Sequence, residues 1–377
     1  MATYLLTLQD LEDFVRGCTL LGVGGGGNPA EGLKALKEQV AAGRRLGWVD
    51  VSELPDDGWA ACTFLMGSTA PLTGEKRAQM KELGLIQWKY ERNLPLALRE
   101  LETYAQKTVD VLVPFELGGS NTPVPIAGAA SLGKLVVDGD YAGRAVPEIT
   151  QTTASVMGLP FCPVASVDKW GNVSFIKEAI SYTMAERIGK LISDAAFGST
   201  GLAGFLVPIS EMKKAVLPGT LTRALSVGRS IRLARERGED PATALEREHG
   251  FRVLFRGRVC EKEWKDMDGY YWGTHLLESD EAGKTRTFKV FFKNENHLTW
   301  LDGTLYVTSP DLIMNMDPDT GEPVLNDRID VGTRLVLLGA GCHPMMREKP
   351  MLSVLGPTYF GVQAEYRPIE DVVGGLL

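Results

Sequence analysis

The chain has 377 residues, a length that suits two domains of roughly 150 to 200 residues each better than one core. Its composition, 44% hydrophobic and 23% charged, is that of a soluble globular protein. The formal net charge of −8 argues against nucleic acid or an anionic membrane as partner, since both select clustered Lys and Arg. No apolar run reaches the roughly 18 residues of a spanning helix. The first residues, Met1-Ala-Thr-Tyr-Leu-Leu-Thr, lack the basic and apolar regions of a signal peptide. Cys18, Cys62, Cys162, Cys260 and Cys342 are scattered, with no Cys-x-x-Cys pair, so neither a disulfide framework nor a structural zinc site is expected. A cytoplasmic protein is the expectation, with a homo-oligomer left open.

In chain order, the first strong signal is the glycine run Gly24, Gly25, Gly26, Gly27, followed by Asn28-Pro29-Ala30-Glu31. Asn28 suits a helix cap, Pro29 the first helical position, and Glu31 the carboxylate of a capping box. Leu33, Leu36 and Val40 continue at helical spacing. Glycines that run straight into a helix N-terminus let backbone N–H groups approach an anion or a polarised carbonyl. A short strand at 19–21 is expected before them.

The first 175 residues alternate apolar runs with helical patterns, the signature of an α/β domain, expected as a three-layer arrangement. Strands are expected at 62–67, 109–115, 134–137 and 160–165. The first runs into Gly67-Ser68-Thr69, the second into Glu116-Leu117-Gly118-Gly119-Ser120-Asn121, and the third into Asp138-Gly139-Asp140. Ligands of open α/β sheets bind beyond the carboxyl ends of strands, which makes these tails the place for a site. Residues 176–377 begin with helical patterns at 178–197 and 221–237. Short strands then follow at 251–260, 270–277, 286–292, 304–308 and 334–338, separated by turn signals, and predict a β-rich, barrel-like domain. Arginines 229, 232, 235 and 237 fall partly on one helix face and read as a solvated face.

Gly22, Gly24 and Gly27 satisfy G-x-G-x-x-G, with Asp50 about twenty residues later, which raises a dinucleotide site. Pro29 counts against it, because it places Gly27 outside the helix that the third glycine normally enters. Among acids, Glu116 ends an apolar run beside Gly118-Gly119, and Glu148 follows Arg144-Ala-Val-Pro. A carboxylate sheltered at such an edge has a raised pKa and suits general acid–base work. For Glu148 a structural ion pair with Arg144 is at least as good a reading. Asn294-Glu295-Asn296-His297 groups four polar side chains after a strand, and lacks the Gly or Pro of a tight turn. Cys342-His343 follows another strand, but adjacent residues do not by themselves make a nucleophile and its base. Metal binding by His275, His297, Cys342 and His343 has no supporting ligand spacing. No cofactor is named by any motif.

Five segments occur together: Leu20-Leu21-Gly-Val-Gly-Gly-Gly-Gly-Asn-Pro, Glu116-x-Gly-Gly-x-Asn121, Asp138-x-Asp140-x-x-Gly-Arg-Ala-x-Pro-Glu148, Asn294-Glu295-Asn296 and Leu355-Gly-Pro-x-x-Phe-Gly361. In this order, over nearly the whole chain, they resemble the S-methyl thiohydantoin desulfurase family. The resemblance implies an α/β domain followed by a β-rich one. It implies hydrolytic loss of sulfur from C2 of a thiohydantoin, a small cyclic amide, giving a hydantoin. In such a reaction Glu116 or Glu148 takes a proton from water. N–H groups of Gly24 to Gly27, with Asn28, hold a ring carbonyl or pendant carboxylate. Asn121, Asn294, Glu295 and Asn296 meet the ring's amide edges. Attack by Cys342, helped by His343, is the covalent alternative. A NAD(P)-dependent oxidoreductase and a non-catalytic, ring-binding subunit of a hydantoinase system are the other readings.

Overall fold

The computed structural model describes residues 2–67, 72–279 and 286–373. Ser68 and Thr69 of the first expected strand tail lie outside the described residues. The chain forms two domains that mix helices and sheets. The first is organised on a six-stranded sheet made of β1 (Trp59–Met66), β2 (Val111–Pro114), β3 (Leu135–Val136), β4 (Val164–Val167), β5 (Val173–Ile176) and β6 (Thr200–Pro208). Its order is β3-β2-β1-β6-β4-β5. The β1–β2 and β2–β3 pairs are parallel; β1–β6, β6–β4 and β4–β5 are antiparallel. Strand β6, from the second half of the chain, therefore completes the sheet begun by the first half.

Alternate residues of these strands enter different apolar clusters, as a period of two requires when both faces are buried. Ala61, Leu112 and Ala203 join Phe14, Leu36, Leu98 and Ile126 on one side. Those four come from α1 (Leu8–Leu21), α2 (Pro29–Ala41), α3 (Leu94–Ala105) and α4 (Pro123–Leu132). Cys62, Phe64, Val113 and Phe205 join Ala185 of α5 (Tyr182–Ala195) on the other.

Residues 19–21 are the end of α1 and not a strand. Leu11, Phe14, Cys18 and Leu21 recur on one helical face, and Thr7 with Asp10 closes a capping box at its start. The strand expected at 160–165 starts at Val164, beyond Pro160 and Pro163, which have no N–H to give to a ladder. The cap at Asn28 forms as its residue type predicts, with Oδ1 accepting Ala30 N–H at 3.0 Å and Pro29 opening α2. Among the described residues, no helix is long and apolar enough to cross a membrane.

The second region holds a seven-stranded antiparallel sheet curled into a half-barrel. Its strands are β7 (Arg252–Met267), β8 (Tyr270–Ser279), β9 (Thr287–Lys293), β10 (Glu295–Leu301), β11 (Thr304–Thr308), β12 (Leu312–Met316) and β13 (Arg334–Ala340), in the order β11-β10-β9-β8-β7-β13-β12. Helix α6 (Thr220–Glu236) lies against α1, where Gly17 and Gly228 let the two backbones touch. Its arginines are tied rather than free: Arg232 pairs with buried Asp13, Arg229 with Asp10 and Arg235 with Glu322.

Candidate active site

The glycine run leaves the end of α1 and folds back before α2. Val23, Gly24, Gly26 and Gly27 take φ values of 47°, 91°, 77° and 83°. Glycine tolerates this region, but a β-branched valine in it costs on the order of 1–3 kcal/mol. The surrounding chain holds the bend by its carbonyls. Val23 O accepts Asn296 N–H at 2.9 Å, Gly24 O accepts Asn326 N–H at 2.8 Å, and Gly26 O accepts Ser120 and Asn121 N–H, both at 3.1 Å. A Cβ on Gly26 would stand 2.4 Å from Cα of Gly118, and one on Gly25 only 2.0 Å from Oε1 of Glu295. These glycines are thus required for close approach, by the loop after β2 and by a carboxylate from β10. The N–H groups of Gly24, Gly26, Gly27 and Asn28 find no acceptor among the described residues.

The run follows a helix, so it lacks the strand that the dinucleotide fingerprint needs before its first glycine. It instead borders a cavity of about 400 Å³ between the two domains. Gly24, Gly25, Gly26, Gly27 and Asn28 line this cavity together with Glu116, Asn121, Glu148, Asn294 and Glu295. The glycine bend and the acidic tail of β2 therefore share one space.

Glu116 is buried. Its Oε1 accepts Asn121 Nδ2 at 2.5 Å and its Oε2 accepts Val146 N–H at 2.7 Å. Burial nevertheless raises its pKa above the usual carboxylate range, and Asp140 nearby adds to the rise. Glu295 is equally buried, and its Oε2 has no partner among the described residues. Burial, then the charge of Glu116, pushes its pKa up as well. The nearest compensating charge is Arg144, fully buried and bonded only to carbonyl oxygens: Ala145, Pro310, Asp311 and Asn296, the last at 2.7 Å. Burial of both acids, and the charge of Glu116 acting on Glu295, favour keeping a proton on one of them.

Glu148 has a different environment. It forms a part-buried ion pair with Lys293, and Tyr359 donates its hydroxyl to Oε2 at 2.6 Å. The expected partner Arg144 is not involved, because its guanidinium is spent on carbonyls across the domain junction. Asn294 is the turn residue between β9 and β10, with φ of 57°, and its Oδ1 accepts Tyr271 N–H at 2.9 Å. Asparagine is among the few residues that take this conformation readily, so the tight turn forms without Gly or Pro. Asn296 does not line the cavity. Its amide belongs to a closed ring of three: Asn296 Nδ2 donates to Asn315 Oδ1, Asn315 Nδ2 to Asn326 Oδ1, and Asn326 Nδ2 to Asn296 Oδ1, at 2.9 to 3.0 Å.

Cys342 and His343 also lie outside this cavity. Cys342 packs against both apolar clusters of the first sheet. Burial and the neighbouring Asp311 push its thiol up to about 12, the reverse of an activated thiolate. His343 Nδ1 accepts Met345 N–H at 3.3 Å, capping a short turn. His275 and His297 are buried and stacked on Phe292 and Phe360, with centroids 4.6 and 4.0 Å apart. No cluster of three His, Cys, Asp or Glu side chains suited to a metal ion occurs among the described residues.

Two polar side chains at the cavity escaped sequence reasoning. Glu186 and Lys190 line it from α5. Glu186 accepts Ile149 N–H at 2.9 Å, and burial raises its pKa. Lys190 stands 3.8 Å from Glu186, with its ammonium over the ring of Tyr270 at 4.5 Å. A signal existed: Ala185, Gly189 and Ser193, small and four apart, mark the face of α5 that packs closely, and Glu186 and Lys190 run beside it.

Family models of the S-Me-THD-like N-terminal domain and the S-Me-THD-like C-terminal domain match residues 9–178 and 180–369. Among solved structures, a crystal structure of a protein from Chromobacterium violaceum superposes with a TM-score of 0.75 at 23% identity, covering 98% of this chain and all of that one. At that identity the likeness speaks for the fold alone. No curated protein matches the chain. With both family models in sequence and together spanning nearly all 377 residues, the chain belongs to the S-methyl thiohydantoin desulfurase (S-Me-THD-like) family.

Proposed function

We propose that the protein hydrolyses a thiohydantoin, or its S-methyl form, at C2, releasing sulfide or a thiol and leaving a hydantoin. The observation that carries this reading is the meeting of two buried carboxylates, Glu116 and Glu295, with unpaired glycine N–H groups in one cavity. With the S-methyl substrate, water oxygen bonds to C2 as Glu116 takes a water proton. The electron pair of the C2–N double bond moves to nitrogen, which takes the proton held on Glu295. The C2–S bond then breaks, sulfur leaves with the bonding pair and takes the proton from Glu116, and the C2 hydroxyl returns its proton to Glu295. Water and substrate become hydantoin and methanethiol, and both acids are restored. The N–H groups of the glycine bend suit the ring carbonyl, where they strengthen as charge develops. The free amide positions of Asn121 and Asn294 suit the ring's donor and acceptor edge.

Incubating purified protein with an S-methyl thiohydantoin and following free thiol tests the reading. Saturable thiol release is the expected result. Background release with saturable ring binding would replace hydrolysis by the role of a ring-binding subunit.

A further inference from the structure

Among the described residues, two cations line the cavity beside Glu116: Arg328, largely exposed and 3.6 Å from Asp327, and Lys190. The Lys190 side chain is only 16% exposed. Its ammonium stands 3.8 Å from Glu186, beyond hydrogen-bond reach, and 4.5 Å over the Tyr270 ring. It donates no hydrogen bond to any described residue. Lys293 lies over the same ring at 4.1 Å, but its ammonium is engaged by Glu148. A sheltered ammonium with unused N–H groups bears a desolvation cost that an incoming acceptor offsets. Burial raises the pKa of Glu116 and of Glu295, and the charge of Lys190 is among the influences opposing that rise, so its field reaches both acids.

Lys190 also stands where the space continues. A second cavity, of about 740 Å³, shares Gly67, Glu148, Glu186, Lys190 and Ser199 with the first. Arg187, on the same helix, lines this second cavity alone, is exposed and has no partner among the described residues. Other lysines of that wall are engaged: Lys76 pairs with Asp194 at 2.9 Å, and Lys169 lies 4.0 Å over the Trp88 ring. Two cations with unused N–H groups thus lead from the reacting cavity into the adjoining one. In the hydrolysis, negative charge collects on sulfur as the C2–S bond breaks, and an alkylthiolate is a poor leaving group unless that charge is met.

We propose that Lys190 is a catalytic residue for the departing sulfur. Its ammonium donates a hydrogen bond to sulfur as the C2–S bond breaks and the bonding pair moves onto sulfur. The proton that sulfur takes still comes from Glu116, and Lys190 keeps its own. The freed thiol then passes into the second cavity towards Arg187. This role rests on the hydrolysis proposed above.

Two substrates of nearly one size, S-ethyl and S-trifluoroethyl thiohydantoins without a side arm, test it, because fluorine makes the leaving thiolate a much weaker base. Lys190→Met should lower kcat/KM for thiol release about a hundredfold with the S-ethyl ring and about tenfold or less with the S-trifluoroethyl ring. Both rates come from one preparation, so any misfolded fraction cancels in their ratio. Lys190→Arg, which keeps the charge, should bring that ratio back towards the wild-type value. Equal losses with both rings, or no loss with either, would overturn the role of Lys190 and leave the hydrolysis standing. No thiol release from either ring by the wild-type protein would overturn the hydrolysis, and this role with it.

Discussion

Two buried acidic centres lie close to the junction of the domains, and they are built in opposite ways. Asp311 is fully buried and saturated: Oδ1 accepts Cys342 N–H at 3.0 Å and Arg347 Nη2 at 2.9 Å, while Oδ2 accepts the Tyr366 hydroxyl and Ile369 N–H. It pins the C-terminal segment to the half-barrel. Glu295 is equally buried, yet one of its oxygens is unmatched and its pKa is driven up by burial and by Glu116. Its neighbour in sequence, Asn296, repeats the contrast, because its amide is satisfied by the asparagine ring and by Ile313 O, to which Nδ2 also donates at 3.0 Å. A saturated buried group stabilises and specifies the fold. An unsaturated one at a cavity costs stability and holds chemistry ready.

The sharpest way to break this contrast is to remove the acid and keep its shape. Glu116→Gln should lower thiol release by about two orders of magnitude while the melting temperature stays near or above that of the wild type. Full activity in that variant would take Glu116 out of the proton transfer. The saturated side should answer in the other currency. Asn296→Ala strands Asn315 Oδ1 and Asn326 Nδ2, and should cost about 2–3 kcal/mol in denaturant unfolding, with little change in turnover of the folded protein.

Proton linkage separates the two centres further. A carboxyl whose pKa is raised on folding binds its proton more tightly in the native state, so its stabilising contribution is present at low pH. That contribution is lost as pH rises through the raised value. Glu295→Gln should therefore match the wild type in melting temperature at pH 4 and exceed it increasingly from about pH 5 to about pH 8, the value to which Glu295 is raised. A gap that is constant, or that opens towards acid, would contradict a raised Glu295. The smallest effect belongs to Cys342. Its thiol is held protonated outside the cavity, and Cys342→Ser should leave turnover close to the wild-type level. Abolished activity would restore the covalent route.

Local chemistry made much of the frame legible. The cap at Asn28, the helix opened by Pro29, the strand β11 at 304–308 and the acid at the end of β2 all follow from side-chain type and short spacing. The same reading placed a strand where α1 ends, since a three-residue apolar stretch has no period of its own. An ion pair for Glu148 is legible as an alternative, but its partner is Lys293 and not Arg144: Lys293 is 145 residues away, and only the folded chain brings it near.

By itself the sequence determined which segments turn, cap and alternate, and which loops carry acids and glycines, because those properties act over a few residues. Tertiary structure alone decided that β6 enters the first sheet, that Glu295 reaches the glycine bend, and that Arg144 lies buried between the domains. Burial and long-range charge set the state of those acids, and neither is a property of a residue until distant chain has surrounded it.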